Sequence, residues 1–289
     1  MDAFSAGQLT RALDRLHSTI YFVPDAGAMF GKLGLEPRMQ YFASRSAPMG
    51  AVVAKVVAAT FYNFNPELIS RAIPAAWEVA SPKVVTRMRY EIVDATLPGI
   101  LGERRVRSPE FAHSAAIVRR TAEAIPNADG RPVYAGHAEL DWPDAPHAQL
   151  WHAITLLREY RGDGHIAALL THGLSGIEAL ITHIATGTGF DPEFGRRLRG
   201  WSQDQWDAAL EGLRVRGLLD DAGQLTDAGN DVRTKVEDLT DELAYAPWRT
   251  LPDDDVQELI ALGEVIRDSV RAAGVFPTNA FGPRHGQHR

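Results

Sequence analysis

Six of the ten histidines fall within residues 137–183: His137, His147, His152, His165, His172 and His183. Clustered imidazoles suggest a metal or haem site. Their spacing argues against one. His147 and His152 are five residues apart, as are Glu178 and His183, and residues five apart do not share a helical face. His165 and His172 lie two helical turns apart, too far to share an ion directly. The His-Glu-x-x-His pattern of zinc enzymes is missing. No metal site is expected, no cofactor is named, and solvated or core histidines are the plainer account. A haem- or metal-dependent enzyme stays as a minor alternative.

Arg158-Glu159-Tyr160-Arg161-Gly162-Asp163-Gly164-His165 is the most unusual stretch. Two glycines flank Asp163 and permit a tight turn with close backbone approach. The expectation is a break between two helices at residues 161–164. His165 then stands near a helix N-terminus, which favours the neutral imidazole. Asp163 and His165 form the candidate acid/base pair, with Arg158 and Arg161 as anion anchors. The rival reading is a capped interhelical turn with a surface ion pair.

A second cluster lies nearer the N-terminus. Arg45 precedes Pro48-Met49-Gly50, and Tyr62 and Asn63 punctuate an apolar helix end. Asn63, between Phe61 and Phe64, needs a hydrogen-bond partner. Arg45, Tyr62 and Asn63 are candidate ligand-binding residues, and Glu178 is counted with them. The rival account makes Asn63 a helix cap and packs the Arg45 stem on Phe42.

The elements that must position these groups read as almost entirely helical. Asn65-Pro66-Glu67, Ser81-Pro82 and Ser108-Pro109-Glu110 are helix starts. The organisation expected is an N-terminal helical half (1–125), a Pro/Gly/Asp-rich connector (126–146), a C-terminal half (147–252), an amphipathic helix (253–276) and a loose polar tail (277–289). The chain has no cysteine, which excludes disulfides and thiolate catalysis and fits a cytoplasmic protein. Met1 to Thr10 does not read as a signal peptide, and no stretch is long and apolar enough for a bilayer.

Residues 190–233 carry the pattern helix, Arg-Gly-Leu-Leu, turn, Leu-Thr-x-Ala-Gly, helix. This resembles the MarR-type winged helix and implies a module over 174–245. Such modules read DNA with their second helix and a wing. Here Asp204, Asp207 and Glu211 lie on that helix and Asp220 and Asp221 on the turn. Net charge is −7, with residues 1–150 at +1 and 151–289 at −8. DNA binding is therefore not expected. Residues 50–71 lie over 176–197 without a gap, with seven identities in 22 positions. The fold expected is mainly α: tandem degenerate winged-helix modules, the C-terminal one alone with a clear β-wing.

Three stretches, 41–77, 150–165 and the segment ending Leu225-Thr226-Asp227-Ala228-Gly229, resemble an actinobacterial helix-turn-helix family, also labelled SalK-like. That resemblance implies a winged-helix fold and no established reaction. The function expected is binding of a small aromatic or anionic molecule in a cleft between the two halves, with His165 and Asp163 turning it over if the protein is an enzyme. The alternative is a MarR-type transcriptional regulator forming a homodimer through 253–273.

Overall fold

In the computed structural model the described residues are 1–277 and 281–284. The helices run α1 (Ala3–Ser18), α2 (Pro24–Lys32), α3 (Pro37–Ser46), α4 (Ala54–Phe61), α5 (Pro66–Ser70), α6 (Ala75–Val79), α7 (Pro82–Leu101), α8 (Pro109–Glu123) and α9 (Pro132–Ala138). They continue as α10 (Pro146–Thr171), α11 (Gly176–Ala185), α12 (Pro192–Leu198), α13 (Gln203–Val215), α14 (Asp227–Ala244) and α15 (Asp253–Ala272). The starts follow local chemistry. Asp2, Asn65, Ser81, Ser108, Asp191 and Ser202 each accept a backbone N–H of the first turn. Among the described residues no helix is long and apolar enough to cross a membrane.

The chain forms two compact units, and neither is continuous in sequence. Unit 1 holds Met1–Val52, Ala72–Gly164 and Asp241–Phe276. Unit 2 holds Val53–Arg71, His165–Thr240 and Pro277–Arg289. Helices α10 and α14 each begin in one unit and end in the other.

Unit 1 is a helical assembly around α1, α7, α8 and α15. Leu9, Leu13 and Leu16 of α1 are buried with Leu259, Leu262 and Ile266 of α15. Gly263 lets the two helices close up: a Cβ there would lie 3.3 Å from Ala12. The apolar stripe expected to pair subunits is thus consumed inside the chain. Val256, Leu259, Ile266 and Val270 are buried and Ile260 is left exposed.

Unit 2 packs α11, α12, α13 and the start of α14 around Leu174, Leu180, Ile181, Ile184, Trp206, Leu213 and Val236. The segment 53–71 is built into it. Tyr62 donates to the Leu174 carbonyl at 2.5 Å. Asn65 donates to the Gly200 carbonyl and to Gln205, each at 3.0 Å. The Trp201 indole donates to the Asn63 carbonyl at 3.0 Å.

Several expectations are corrected. The β-wing is missing: among the described residues there is no strand, and Leu219 and Leu225 share a single isolated bridge. Between Gly217 and α14 the pairing goes no further than this bridge. Asp220 N–H donates to the Gln224 carbonyl, the Arg214 guanidinium donates to the Asp220 and Asp221 carbonyls, and Thr226 already caps α14. Nor are there tandem modules. Residues 53–71 share unit 2 with their apparent copy at 176–197, because α4 and α5 are too short to bury a core of their own. The break at 161–164 does not occur, since α10 runs through it. Inside the connector, Pro132 opens the short helix α9. Part of the tail is docked: Phe281 bridges and stacks on Phe190 at 5.6 Å, and Gly282 donates to the Gly189 carbonyl at 2.9 Å. Residues 278–280 and 285–289, also expected to be loose, lie outside the described residues.

Gly176 is the tightest backbone approach in unit 2, because a Cβ there would run into the Tyr62 carbonyl oxygen. Gly176→Ala is expected to lower stability by about 1–3 kcal/mol through overpacking. Urea unfolding followed by circular dichroism checks this; an unchanged midpoint would show that the Tyr62 backbone yields freely.

Candidate functional site

The centre of unit 1 is unusually polar. Trp151, Thr155 and Glu159 are spaced by four on α10 and share one buried face. Glu159 accepts both fork nitrogens of Arg45, Nη2 at 2.9 Å and Nε at 3.2 Å, and also Arg158 Nη1. Burial opposes the Glu159 charge, but Arg158 and Arg45 hold its carboxyl well below the usual range. Arg158 also lies 2.9 Å from Asp14, whose carboxyl burial pushes up.

Asp14, Arg45 and Arg158 keep 35, 12 and 23% of their side-chain surface, although burial is the largest influence on each charge. These groups are surrounded by protein yet still touched by solvent. Tyr21 and Tyr41, both half-buried and edge to face at 5.0 Å, stand beside them. Their phenols act on the Arg45 charge, and Arg158 and Arg89 act on Tyr21.

Behind the tyrosines lies a hydrogen-bond chain whose direction is fixed. Thr155 donates its one hydroxyl proton to the Trp151 carbonyl at 2.8 Å. His17 Nδ1, 2.8 Å from Thr155 Oγ1, must then be the donor. Burial, reinforced by Arg158, holds the His17 pKa well below its ordinary value, so the ring is neutral. Its Nε2 carries the lone pair and accepts from the Tyr21 hydroxyl at 3.1 Å. The ring stacks on Trp151 at 5.2 Å.

Arg89 of α7 completes the cluster and is 1% exposed. Its Nη1 donates to the Ser44 carbonyl at 2.7 Å and to His137 Nε2 at 3.3 Å. His137 is neutral, its pKa lowered to about 3 by burial and by Arg89, and its Nδ1 donates to the Val133 carbonyl. Among the described residues Arg89 Nη2 makes no hydrogen bond, and neither does the buried Ser44 Oγ. Two guanidiniums, Arg45 and Arg158, face the firmly ionised Glu159, and Asp14 and Asp163 are the further acids beside them.

The other candidates are dispersed. Asp163 Oδ2 accepts the backbone N–H groups of Val133 and Tyr134 at 3.0 and 2.9 Å, capping α9 from across the unit. His165 lies mid-helix, not at an N-terminus, and its Nδ1 pairs with Thr240 at 2.9 Å. Two residues apart on a continuous helix, Asp163 and His165 point to different sides. Arg161 donates to Asp241 at 2.7 Å, with Arg11 on the same oxygen. Glu178 closes the α11 capping box with Ser175 and accepts from Arg216 at 2.8 Å. Tyr62 and Asn63 brace unit 2 as described above. Arg45 and Arg158 come together on Glu159, and Asp163, one turn further along the helix, feels Glu159 and Arg45. Among the described residues no three His, Asp or Glu side chains gather as metal ligands.

The glycines of the Arg-Gly-Asp-Gly stretch serve packing. A Cβ on Gly164 would lie 2.8 Å from Arg131 Nη1, and that guanidinium donates to the Tyr160 and Leu243 carbonyls. Close approach, not a turn, explains Gly164.

The family model described as Helix-turn-helix family matches residues 6–277. The chain belongs to the Helix-turn-helix family. Neither a curated protein nor a solved structure matches it. In this helix-turn-helix protein the exposed face of α13 carries Asp204, Asp207 and Glu211, and Asp220 and Asp221 are exposed on the turn after it.

Asp14, His17, Tyr21, Tyr41, Ser44, Arg89 and His137 were not among the sequence candidates. Arg89 had a signal. It occupies the apolar stripe of α7 between Val85 and Ile92, where a charge needs a reason. His17, beside Leu13, Leu16 and Ile20, had the same one.

Burial is the main cause that raises the Asp163 carboxyl from 3.8 to about 6. The folded state therefore holds this proton more tightly than the unfolded chain. Its contribution to stability is present below pH 4 and is lost as pH rises to about 6, by up to ~3 kcal/mol. Asp163→Asn is expected to flatten the stability-versus-pH curve across that window. An identical slope in both proteins would remove Asp163 as the titrating group.

Proposed function

We propose that unit 1 binds a small anionic molecule in the recess walled by Asp14, Tyr21, Arg45 and Arg158, with Arg89 as the anchor. The observation that carries this reading is Arg89 Nη2: a fully buried cationic donor with no hydrogen-bond partner among the described residues. Buried polar groups in folded proteins are nearly always paired, so this one needs a counterpart. The burial of the Arg89 charge supports an anion, since buried charge is tolerated only when compensated. This places the ligand inside one unit, and it gives Asp163 and His165 no joint role.

On this reading the helix-turn-helix unit is a scaffold. A MarR-type regulator is the second reading, favoured by family membership and by the α11–α12–α13 arrangement. The acidic exposed face of α13 speaks against it, because phosphate repulsion would dominate.

Thermal unfolding of the full chain at fixed ionic strength tests the first reading. Acetate, benzoate and inorganic phosphate are titrated separately. At least one is expected to raise Tm, and Arg89→Met to abolish that rise; Arg89→Lys serves if the first variant is unfolded. No response in the native protein, or an equal response in the variant, would sink the proposal. In a gel shift at low salt, duplex DNA is expected to run free. A retarded band that weakens steeply with salt would restore the regulator.

A further inference from the structure

We infer that unit 2 carries a peptide-binding edge at Gly187–Phe190, which its own tail, residues 281–284, fills as an internal ligand. The partner this edge fits is an extended segment reading aromatic, glycine, proline, arginine. The inference goes beyond the anion reading and does not depend on it. Three observations converge.

The first is pairing. Phe190 and Phe281 form an antiparallel bridge. From there the Gly282 N–H donates to the Gly189 carbonyl and the Arg284 N–H to the Gly187 carbonyl, each at 2.9 Å. This is strand addition on a short edge, with alternate backbone N–H groups turned toward the partner. Pro283 stands between them, where an N–H would face away from the edge. A proline there keeps a further strand from adding, so the edge takes a single segment.

The second is fit. A Cβ on Gly282 would lie 2.7 Å from the Gly187 carbonyl oxygen, so glycine alone comes this close. On the other side Gly187, at φ +75°, has no side chain, and a Cβ there would lie 3.3 Å from Arg284 Cδ. Phe281 stacks on Phe190 at 5.6 Å with the rings 19° from parallel. The aromatic, the glycine and the arginine thus each have a counterpart on the edge.

The third is preorganisation. Contacts inside the unit brace the edge from behind. The Thr186 hydroxyl donates to the His183 carbonyl at 2.6 Å and accepts the Thr188 N–H at 3.2 Å. Phe190 leans on Phe194 at 5.7 Å, and Arg199 lies over its ring at 5.3 Å. Asp191, next in the chain, caps α12. An edge already formed loses little freedom when a segment adds. A segment on the same chain has an effective concentration of about millimolar order, so the tail outcompetes dilute peptide until it is unseated.

Fluorescence anisotropy on the full chain tests this, with a labelled peptide of residues 279–286 as the probe. The native chain is compared with Gly282→Val, whose added side chain keeps the tail off the edge; Phe281→Ala serves if that variant is unfolded. The variant is expected to bind the peptide at least tenfold tighter than the native chain does. Within the peptide, Gly282→Val and Phe281→Ala should each weaken binding at least tenfold, and Pro283→Ala by no more than about threefold. If neither chain binds, the edge is not a peptide site and the inference is overturned. If both bind alike, the tail does not fill the edge. If the Gly282→Val peptide binds as well as its parent, close approach is not what is read, and the inference is overturned on that ground.

Discussion

The Glu159 carboxylate is the constraint around which unit 1 is arranged. It is a fully buried anion in the middle of the longest helix, and two guanidiniums satisfy it. A buried ion pair seldom adds net stability over an apolar substitute, but breaking one costs about 3–5 kcal/mol. Once Glu159 is there, Arg45 must come from α3 and Arg158 from the same helix. Asp14 must then answer the second guanidinium. Each compensation draws another polar group inward, and the result is a polar interior where an apolar core would have sufficed.

Much of the helical layout was legible because its punctuation is local. Ser-Pro, Asn-Pro and Asp-Pro starts need only the residues that form them, and the helices after Ser81, Ser108 and Asp191 begin where those signals stand. The Arg-Gly-Asp-Gly stretch misled for a nonlocal reason. Glycine in a helix costs about 1 kcal/mol relative to alanine, and a short-range reading takes that cost as a break. What offsets it is Arg131, some thirty residues earlier, whose guanidinium lies against the helix at Gly164 and caps carbonyls there. The wing failed similarly. Leu218 to Leu225 has a hairpin's composition, but Thr226 is already committed to starting α14.

The candidate site divides along the same line. Arg45 and Arg158 stood out as charges near sequence breaks. Arg89 and His17 stood in apolar surroundings, where a pattern search averages them away, and Glu159 stood among charges that drew notice to its neighbours instead. A single charge on an apolar stripe gains meaning only when its partners are known, and those partners come from α1, α3, α9 and α10. The histidine cluster was a coincidence of the linear chain. His137 faces Arg89, His152 Nδ1 pairs with the Tyr90 hydroxyl at 2.6 Å, and His147 meets Asp94 at 2.8 Å.

The interleaving of the two units bears on how this chain is made. Unit 2 needs residues 53–71, and the carbonyls and indole those residues satisfy come more than a hundred positions later. A ribosome-bound chain would hold the first piece idle until α13 emerges. Contacts of such sequence separation are entropically expensive to close and slow to form. The helix-turn-helix segment cut out alone would present bare acceptors at Leu174 and Gly200 and a bare indole donor at Trp201. The winged-helix pattern visible in residues 190–233 therefore marks a part of a larger folding unit that also includes residues 53–71.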